Sequence, residues 1–411
     1  MCSVNISEVS RRSFLRLAGA TAVAGPIMTE AHFAWAAQQK SVDISSPSAA
    51  RAAGVHFVPS YPPDAVLINA NENPMGPCKA ACEAIASSAS TGGRYDFAQT
   101  EKLTKTFAQQ NGLKENYIEV YAGSSEPLHY AVLAFTSPEK AYVMADPSYE
   151  AGATAAAVSK APVIRTALTS THAHDVRAMI EKGSNAGLFY ICNPNNPTGT
   201  LTPREDILWA LDHKPQGSIL MVDEAYIHLS NSPSVIDQVA ADKDLIVLRT
   251  FSKVYGMAGI RCGLAIGRPD LLRKLQAYLL NPMPVTAAAA AAVSLADPTL
   301  VPTRKKIIED IRNDTFAFLD KCGYKYTATQ SNCFMIETHR PAKEVIAALQ
   351  AKKVYIGRVW PIWPTQVRVT VGSADDMKKF QAAFQAVMDA PPTKASLDGD
   401  SLHGFAGPQF S

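Results

Sequence analysis

Lys253 closes the run Arg249-Thr-Phe-Ser252-Lys253, with Gly256-Met-Ala-Gly259-Ile-Arg261-Cys-Gly263 behind it. A lysine just past a strand end can form an imine with an aldehyde if its surroundings lower its pKa. Arg261, eight residues on, can return to the same place and clamp a phosphate through its guanidinium fork, with the Ser252 hydroxyl beside it. Taken alone, a surface lysine and an unrelated arginine would look the same.

Three further stretches narrow the choice. In Ile219-Leu-Met-Val-Asp223-Glu-Ala-Tyr226 an apolar run delivers a carboxylate to its end, and a phenol follows three residues later. A buried carboxylate needs a partner, and a protonated pyridine nitrogen would serve. A helix cap or a metal-binding aspartate of a nucleotide hydrolase would fit too, but no Gly-rich loop ending in Gly-Lys-Ser/Thr accompanies it. Asn193-Pro-Asn-Asn196-Pro197-Thr198-Gly199 makes a rigid turn that can hold an amide over a ring. Gly123-Ser124-Ser125-Glu126-Pro127 opens a helix, where backbone N–H groups and two hydroxyls can take an anion; alone it is a helix cap with Pro in the first turn.

These residues need a scaffold that brings them to one edge. Short apolar runs predict strands at Ile118–Ala122, Lys140–Met144, Ala186–Cys192, Ser218–Val222, Leu245–Arg249 and Cys262–Ile266. Helical patterns at Pro127–Phe135, Ala173–Glu181 and Pro203–Leu211 lie between several of them. Such alternation predicts an α/β fold with a mostly parallel sheet, and such sheets bind ligands at the carboxyl ends of their strands. After Asn281-Pro-Met-Pro284 an Ala-rich helix leads to strands near Cys333–Glu337 and Gln366–Val371, which read as a smaller α+β domain. By composition, 39 Lys+Arg against 37 Asp+Glu, with 47% hydrophobic residues, describe a globular chain without the basic excess of a nucleic-acid binder. No internal run is long enough to span a membrane.

The amino-terminal stretch reads as an address. Ser10-Arg11-Arg12-Ser13-Phe14-Leu15 precedes a modest apolar run, Leu17 to Ala24, and Ala34-Trp35-Ala36 offers a small-residue cleavage site. It resembles a twin-arginine signal, so the protein is expected to cross through the twin-arginine translocase, to lose residues 1–36 by cleavage near Ala36, and to be periplasmic. A chain folded before export keeps scattered thiols; Cys78, Cys82, Cys192, Cys262, Cys322 and Cys333 read as core thiols, and no second Cys pair completes a zinc site with Cys78 and Cys82. Residues 37–60 read as a linker and 391–411 as a loose tail.

Together the motifs Asn-Pro-x-Asn-Pro-Thr-Gly, Asp-Glu-Ala-Tyr and Ser-Lys-x-x-Gly-x-x-Gly-x-Arg resemble the fold-type I, class I/II pyridoxal-phosphate aminotransferases. Asn69-Ala-Asn-Glu-Asn-Pro-Met-Gly-Pro77 and Val367-Arg368-Val369-Thr-Val-Gly372 are similar to the histidinol-phosphate aminotransferase branch. The resemblance implies a large domain with a seven-stranded sheet over 81–284, a small domain over 285–390, and 61–80 as an amino-terminal part of the small domain. It implies pyridoxal 5′-phosphate as cofactor, with Lys253 as the imine-forming lysine and proton carrier and Asp223 on the ring nitrogen. Tyr226 and Asn196 would hold the 3′ oxygen, Tyr149 would stack on the ring, and Ser124, Ser125, Ser252 and Arg261 would bind the phosphate. Tyr95 resembles a tyrosine that reaches the neighbouring subunit's phosphate, which implies a homodimer with shared sites. Arg368 would take the substrate carboxylate, with Arg358 and Asn73 as further substrate ligands.

Two departures stand out: Tyr95-Asp96-Phe97-Ala98 replaces Tyr-Pro-Asp-Pro, and Gly123-Ser-Ser-Glu126 replaces Gly-Ser-Asp-Glu. The expected activity is an exported transaminase joining an amino donor and a 2-oxo acid. A decarboxylase or oxidase on the same scaffold, histidinol-phosphate transamination proper, and a non-catalytic cofactor-binding protein are the rivals. Trp360 and Trp363, near Arg358, either line a bulky substrate pocket or pack the small domain.

Overall fold

The computed structural model describes residues 61–391. The expected export signal, the expected 37–60 linker and the expected tail beyond residue 391 lie outside the described residues.

In chain order, β1 (Val66–Ile68), α1 (Lys79–Ala89) and α2 (Ala98–Asn111) come first. Strand–helix alternation follows: β2 (Ile118–Tyr121), α3 (Ser125–Phe135), β3 (Ala141–Asp146), α4 (Ala151–Ser159), β4 (Val163–Ala167), α5 (Val176–Lys182), β5 (Ala186–Cys192), α6 (Arg204–His213), β6 (Ile219–Asp223), β7 (Leu245–Thr250), β8 (Gly263–Gly267) and α7 (Pro269–Gln276). The last part holds α8 (Val285–Ala296), α9 (Leu300–Lys321), β9 (Cys333–Glu337), α10 (Ala342–Ala351), β10 (Val354–Ile356), β11 (Gln366–Thr370) and α11 (Ala374–Asp389).

Seven strands form one sheet in the order β2-β8-β7-β6-β5-β3-β4, and only β8 runs against its neighbours. All residues of β5, β6 and β7 are buried, as expected of strands covered on both faces. Alternate side chains feed two separate cores. Phe189, Ile191, Leu220, Val222 and Val247 point into one, with Met179 and Ile207 from α5 and α6. Leu188, Tyr190, Met221, Ile246 and Leu248 point into the other, with Leu128, Ala155 and Leu272 from α3, α4 and α7. Reversing β8 matters for the site. The register sets Gly263, the first residue of β8, opposite both Tyr121 and Thr250, the last residues of β2 and β7. The chain entering β8 therefore reaches the same edge that the parallel strands leave, which is how Arg261 returns to the neighbourhood of Lys253.

Two small sheets complete the architecture: β1 pairs in parallel with β10, and β9 pairs antiparallel with β11, placing Arg368 opposite Met335. In α8 the run Ala287–Ala292 is entirely buried, and its small side chains let the helix lie close against α1 and α2.

The structure departs from the sequence expectations in three places. β4 has no counterpart among the predicted strands; it lies at the sheet edge, carries the exposed Arg165 at its centre and lacks an apolar run. β1 and β10, three residues each, are too short to leave a periodic signal. Cys82 is exposed on α1 rather than buried in a core, whereas Cys192, Cys262 and Cys333 are buried.

Candidate active site

The carboxyl edge of the sheet gathers the expected residues. Lys253 lies three residues past β7 in a loop pinned by backbone bonds from Met257 N to Phe251 O and from Gly256 N to Lys253 O, each 3.0 Å. Its side chain is buried, with Nζ 5.4 Å from the centre of the Tyr226 ring. Burial, reinforced by the nearby Arg368 guanidinium, lowers its pKa to about 8. Asp223 ends β6, buried, and accepts hydrogen bonds from Tyr190 Oη (2.9 Å) and the Ala225 backbone N–H (3.1 Å). Burial still raises its pKa to about 6, against the pull of those donors and of Lys253. Tyr226 is also buried, which pushes its phenol well above its ordinary value; its oxygen accepts from Asn71 Nδ2 at 3.0 Å.

A second group lies where the β2 edge meets Arg261. Gly123 has φ +97°, and a Cβ there would run into the Arg261 guanidinium. A Cβ on Gly263 would lie 2.5 Å from Ser124 N. Both glycines thus let a guanidinium and the first turn of α3 approach closely. Ser124 and Ser252 are buried, Ser252 Oγ accepts from Thr250 Oγ1 at 2.9 Å, and no side chain caps α3. Ser125 Oγ is buried with no hydrogen-bond partner. Unsatisfied donors at a helix start beside an arginine make an anion site.

The third group faces these from the small sheets. Arg368 is buried; Nη1 donates to Asn196 Oδ1 (2.9 Å), Nη2 donates to the Asn69 carbonyl, and Nε is buried without a partner. Its partners are neutral oxygens, so its charge stays uncompensated. Half-buried Tyr149 follows Ser148, whose hydroxyl donates to Asn195 Oδ1 at 2.8 Å and so ties its loop to the Asn193–Gly199 turn.

A buried carboxylate with no cation in contact, a buried lysine of lowered pKa and a cradle of donors beside Arg261 along one edge suit a cationic ring that carries an aldehyde and a phosphate. Residues 63–384 match the model of the family "Aminotransferase class I and II". The chain belongs to the class I and II aminotransferases. The cofactor of that family is pyridoxal 5′-phosphate, and the fold is fold-type I.

This aminotransferase is 30% identical over 330 residues to a histidinol-phosphate aminotransferase of Symbiobacterium thermophilum, covering 79% of this chain and 91% of the relative. It is 29% identical over 335 residues to an aromatic amino acid aminotransferase of Cutibacterium acnes, covering 80% and 94%. The fold is shared with a histidinol-phosphate aminotransferase from Sinorhizobium meliloti solved with pyridoxal 5′-phosphate: TM-score 0.73 at 22% identity, covering 86% of this chain and 96% of that one.

Some expected residues sit elsewhere. Asn73 spends its side chain on the backbone: Nδ2 donates to Val254 O (3.1 Å) and Oδ1 accepts from Met75 N (3.1 Å), which fastens the amino-terminal segment to the lysine loop. Asn71, with φ +54°, faces the cluster instead; its Nδ2 also lies 3.2 Å from Cys333 Sγ. Tyr95 is 84% exposed and is not brought to the site within one chain. Arg358 is ion-paired to Glu150. Sequence reasoning passed over Asn71, Tyr190 and Glu150. Asn71 lies inside the Asn69–Pro77 motif; Tyr190 reads as one more apolar residue of β5 and shows its hydroxyl only through the pleat.

Proposed function

We propose that this aminotransferase moves an amino group between a ring-bearing donor with one anionic group and a 2-oxo acid. The observation that carries the proposal is the buried cluster in which Lys253 lies over the Tyr226 ring and within electrostatic reach of Asp223 and of Arg368, which faces it from the small sheet. When bound, the cofactor supplies an aldehyde to condense with an amine and a protonated ring that draws electrons from the donor's Cα. The Lys253 amine, its pKa near 8, would anchor the cofactor and carry the proton that leaves Cα. Asp223 keeps the ring nitrogen protonated, and Tyr190 and Ala225 N–H fix the carboxylate in place. Tyr226, oriented by Asn71, and Asn196 would hold the ring oxygen, and Tyr149 would pack against the ring. Ser124, Ser125, Ser252 and Arg261 would hold the phosphate, and Arg368 would take the donor's anionic group. Histidinol phosphate, named by the Symbiobacterium relative, and the aromatic amino acids, named by the Cutibacterium relative, each offer one anion and a planar ring; the recurrence of the first name among relatives favours it.

A half-reaction screen tests this. Holoenzyme mixed with histidinol phosphate or aromatic amino acids, without acceptor, should transfer the amino group stoichiometrically to the cofactor, read by its absorbance. Steady turnover in the absence of any 2-oxo acid would instead indicate decarboxylation or oxidation and sink the proposal.

We also propose export through the twin-arginine route, on the strength of Arg11-Arg12 and the following apolar run. Replacing both arginines with lysine should retain the protein in the cytoplasm; unchanged periplasmic activity after fractionation would refute this. A homodimer is proposed as well: Tyr95 and Phe97 leave aromatic side chains 84% and 57% exposed, as a surface covered by a second copy would.

A further inference from the structure

We propose that Trp360 is a positioning residue for Arg368: the buried indole holds the guanidinium by its π face and so keeps the charge where the anionic group of a substrate arrives. The inference rests on the aminotransferase reading of the site and adds to it the residue that sets how that anion is met.

Among the described residues no carboxylate pairs with Arg368; Nη1 and Nη2 go to the neutral oxygens of Asn196 and Asn69. A buried cation of this kind needs something that holds it without neutralising it. The segment joining β10 to β11 supplies it. Gly357 N donates to the Arg368 carbonyl at 2.9 Å, and a Cβ on Gly357 would lie 2.9 Å from Arg368 Nε. The missing side chain therefore lets this segment lie directly against the arginine. Three residues on, Trp360 is buried, and its ring centre lies 5.1 Å from the Arg368 guanidinium carbon.

Packing alone does not account for an indole at this place. Trp360 Nε1 is buried with no hydrogen-bond partner, a cost that leucine or phenylalanine would not carry. What distinguishes the indole is its face. The guanidinium carbon of Arg358 lies 4.5 Å from the same ring centre, so two cations share one π system. They differ in what else they hold: Arg358 is ion-paired to Glu150, whereas Arg368 has only neutral partners. The stack therefore matters most to Arg368. Contact through the face of a guanidinium leaves its N–H groups, which lie in the plane, to hydrogen bonds. The indole thus fixes the cation without occupying the donors that an anion takes. Trp363 behaves differently: it packs edge-on against His172, with ring centres 5.3 Å apart.

Trp360→Leu removes the π face and keeps an apolar side chain, while Trp360→Phe keeps a smaller face. Calorimetry on the holoenzyme compares 3-phenylpropanoate, an unreactive ring-bearing carboxylate, with its neutral amide. Wild type should prefer the carboxylate. Trp360→Leu should cut that preference by about tenfold, the scale of one desolvated cation–π contact, and Trp360→Phe should stay closer to wild type. If Trp360 only fills space, both probes weaken alike; a preference that changes by less than about threefold in Trp360→Leu, or rises, overturns the proposal. So does a loss in Trp360→Phe as large as that in Trp360→Leu, and so does equal binding of the two probes by the wild type. Where Trp360→Leu does not fold, ring-fluorinated tryptophan at position 360 keeps the shape while draining negative charge from the face. The preference should then fall with each added fluorine, and a preference that does not move overturns the proposal. An enzyme that transfers no amino group defeats the aminotransferase reading, whereas the carboxylate preference still decides the role of Trp360.

Discussion

Lys253→Ala should lower turnover by at least about 10⁴-fold, the scale of losing a group that is both nucleophile and base. No neighbour can take over. Burial pushes the pKa values of Tyr226 and Cys333 up, so neither offers a base near neutral pH, and Asp223 is committed to the ring nitrogen. The fold should survive, because the loop's shape rests on backbone bonds from Met257 and Gly256 and not on the amine. Stability should even gain at neutral pH. The folded pKa of about 8 lies below the ordinary 10.5, so the folded state carries the charged amine at a cost. With a depressed folded value that cost is largest below about pH 8 and fades as pH rises toward 10.5. The measurement pairs single-turnover kinetics with melting of the cofactor-free variant. Activity within about tenfold of wild type would refute the role of Lys253.

The parts of this architecture visible in the sequence are those fixed by local composition. The apolar run of β5 predicts its observed ends, Ala186–Cys192, because an uninterrupted run bounded by polar residues leaves one answer. The motifs after β2, β5, β6 and β7 are legible for the same reason: each combines turn residues with chemically distinctive ones directly behind such a run. What stays hidden depends on the approach of distant segments. β4 is held by its neighbour and not by its own pattern. Asn71 and Asn73 lie two positions apart in one motif, yet Asn71, at positive φ, gives its amide to Tyr226 while Asn73 gives its own to the Val254 carbonyl. Glu150 and Arg358 are 208 residues apart, and neither carries a local sign of the other. Tertiary electrostatics of this kind are invisible until the two walls are brought together.

Asp223→Asn should cost between about 10² and 10³ in turnover, the range for removing one preorganised electrostatic group, and should at the same time stabilise the cofactor-free protein. Both effects follow from one feature. The carboxylate is buried with donors from Tyr190 and Ala225 but no cation in contact with it, and its pKa is raised to about 6. Because the folded value lies above the unfolded value of about 3.9, the folded state holds the proton more tightly. The resulting stability is complete below about pH 4 and is lost as pH rises through 6. The difference corresponds to about 3 kcal/mol, a cost that the cofactor-free protein bears at pH 7 and that a protonated ring nitrogen would relieve on binding. Asparagine cannot ionise, so the variant escapes this cost, less what it loses in charge-assisted hydrogen bonds. Thermal melts of both proteins without cofactor provide the test. The stability gap in favour of the Asp223→Asn variant should widen by roughly 1 kcal/mol between pH 5 and pH 7. A gap that stays flat over that interval would mean that Asp223 is not held as an uncompensated charge, and that its catalytic importance must rest on something other than a ring cation.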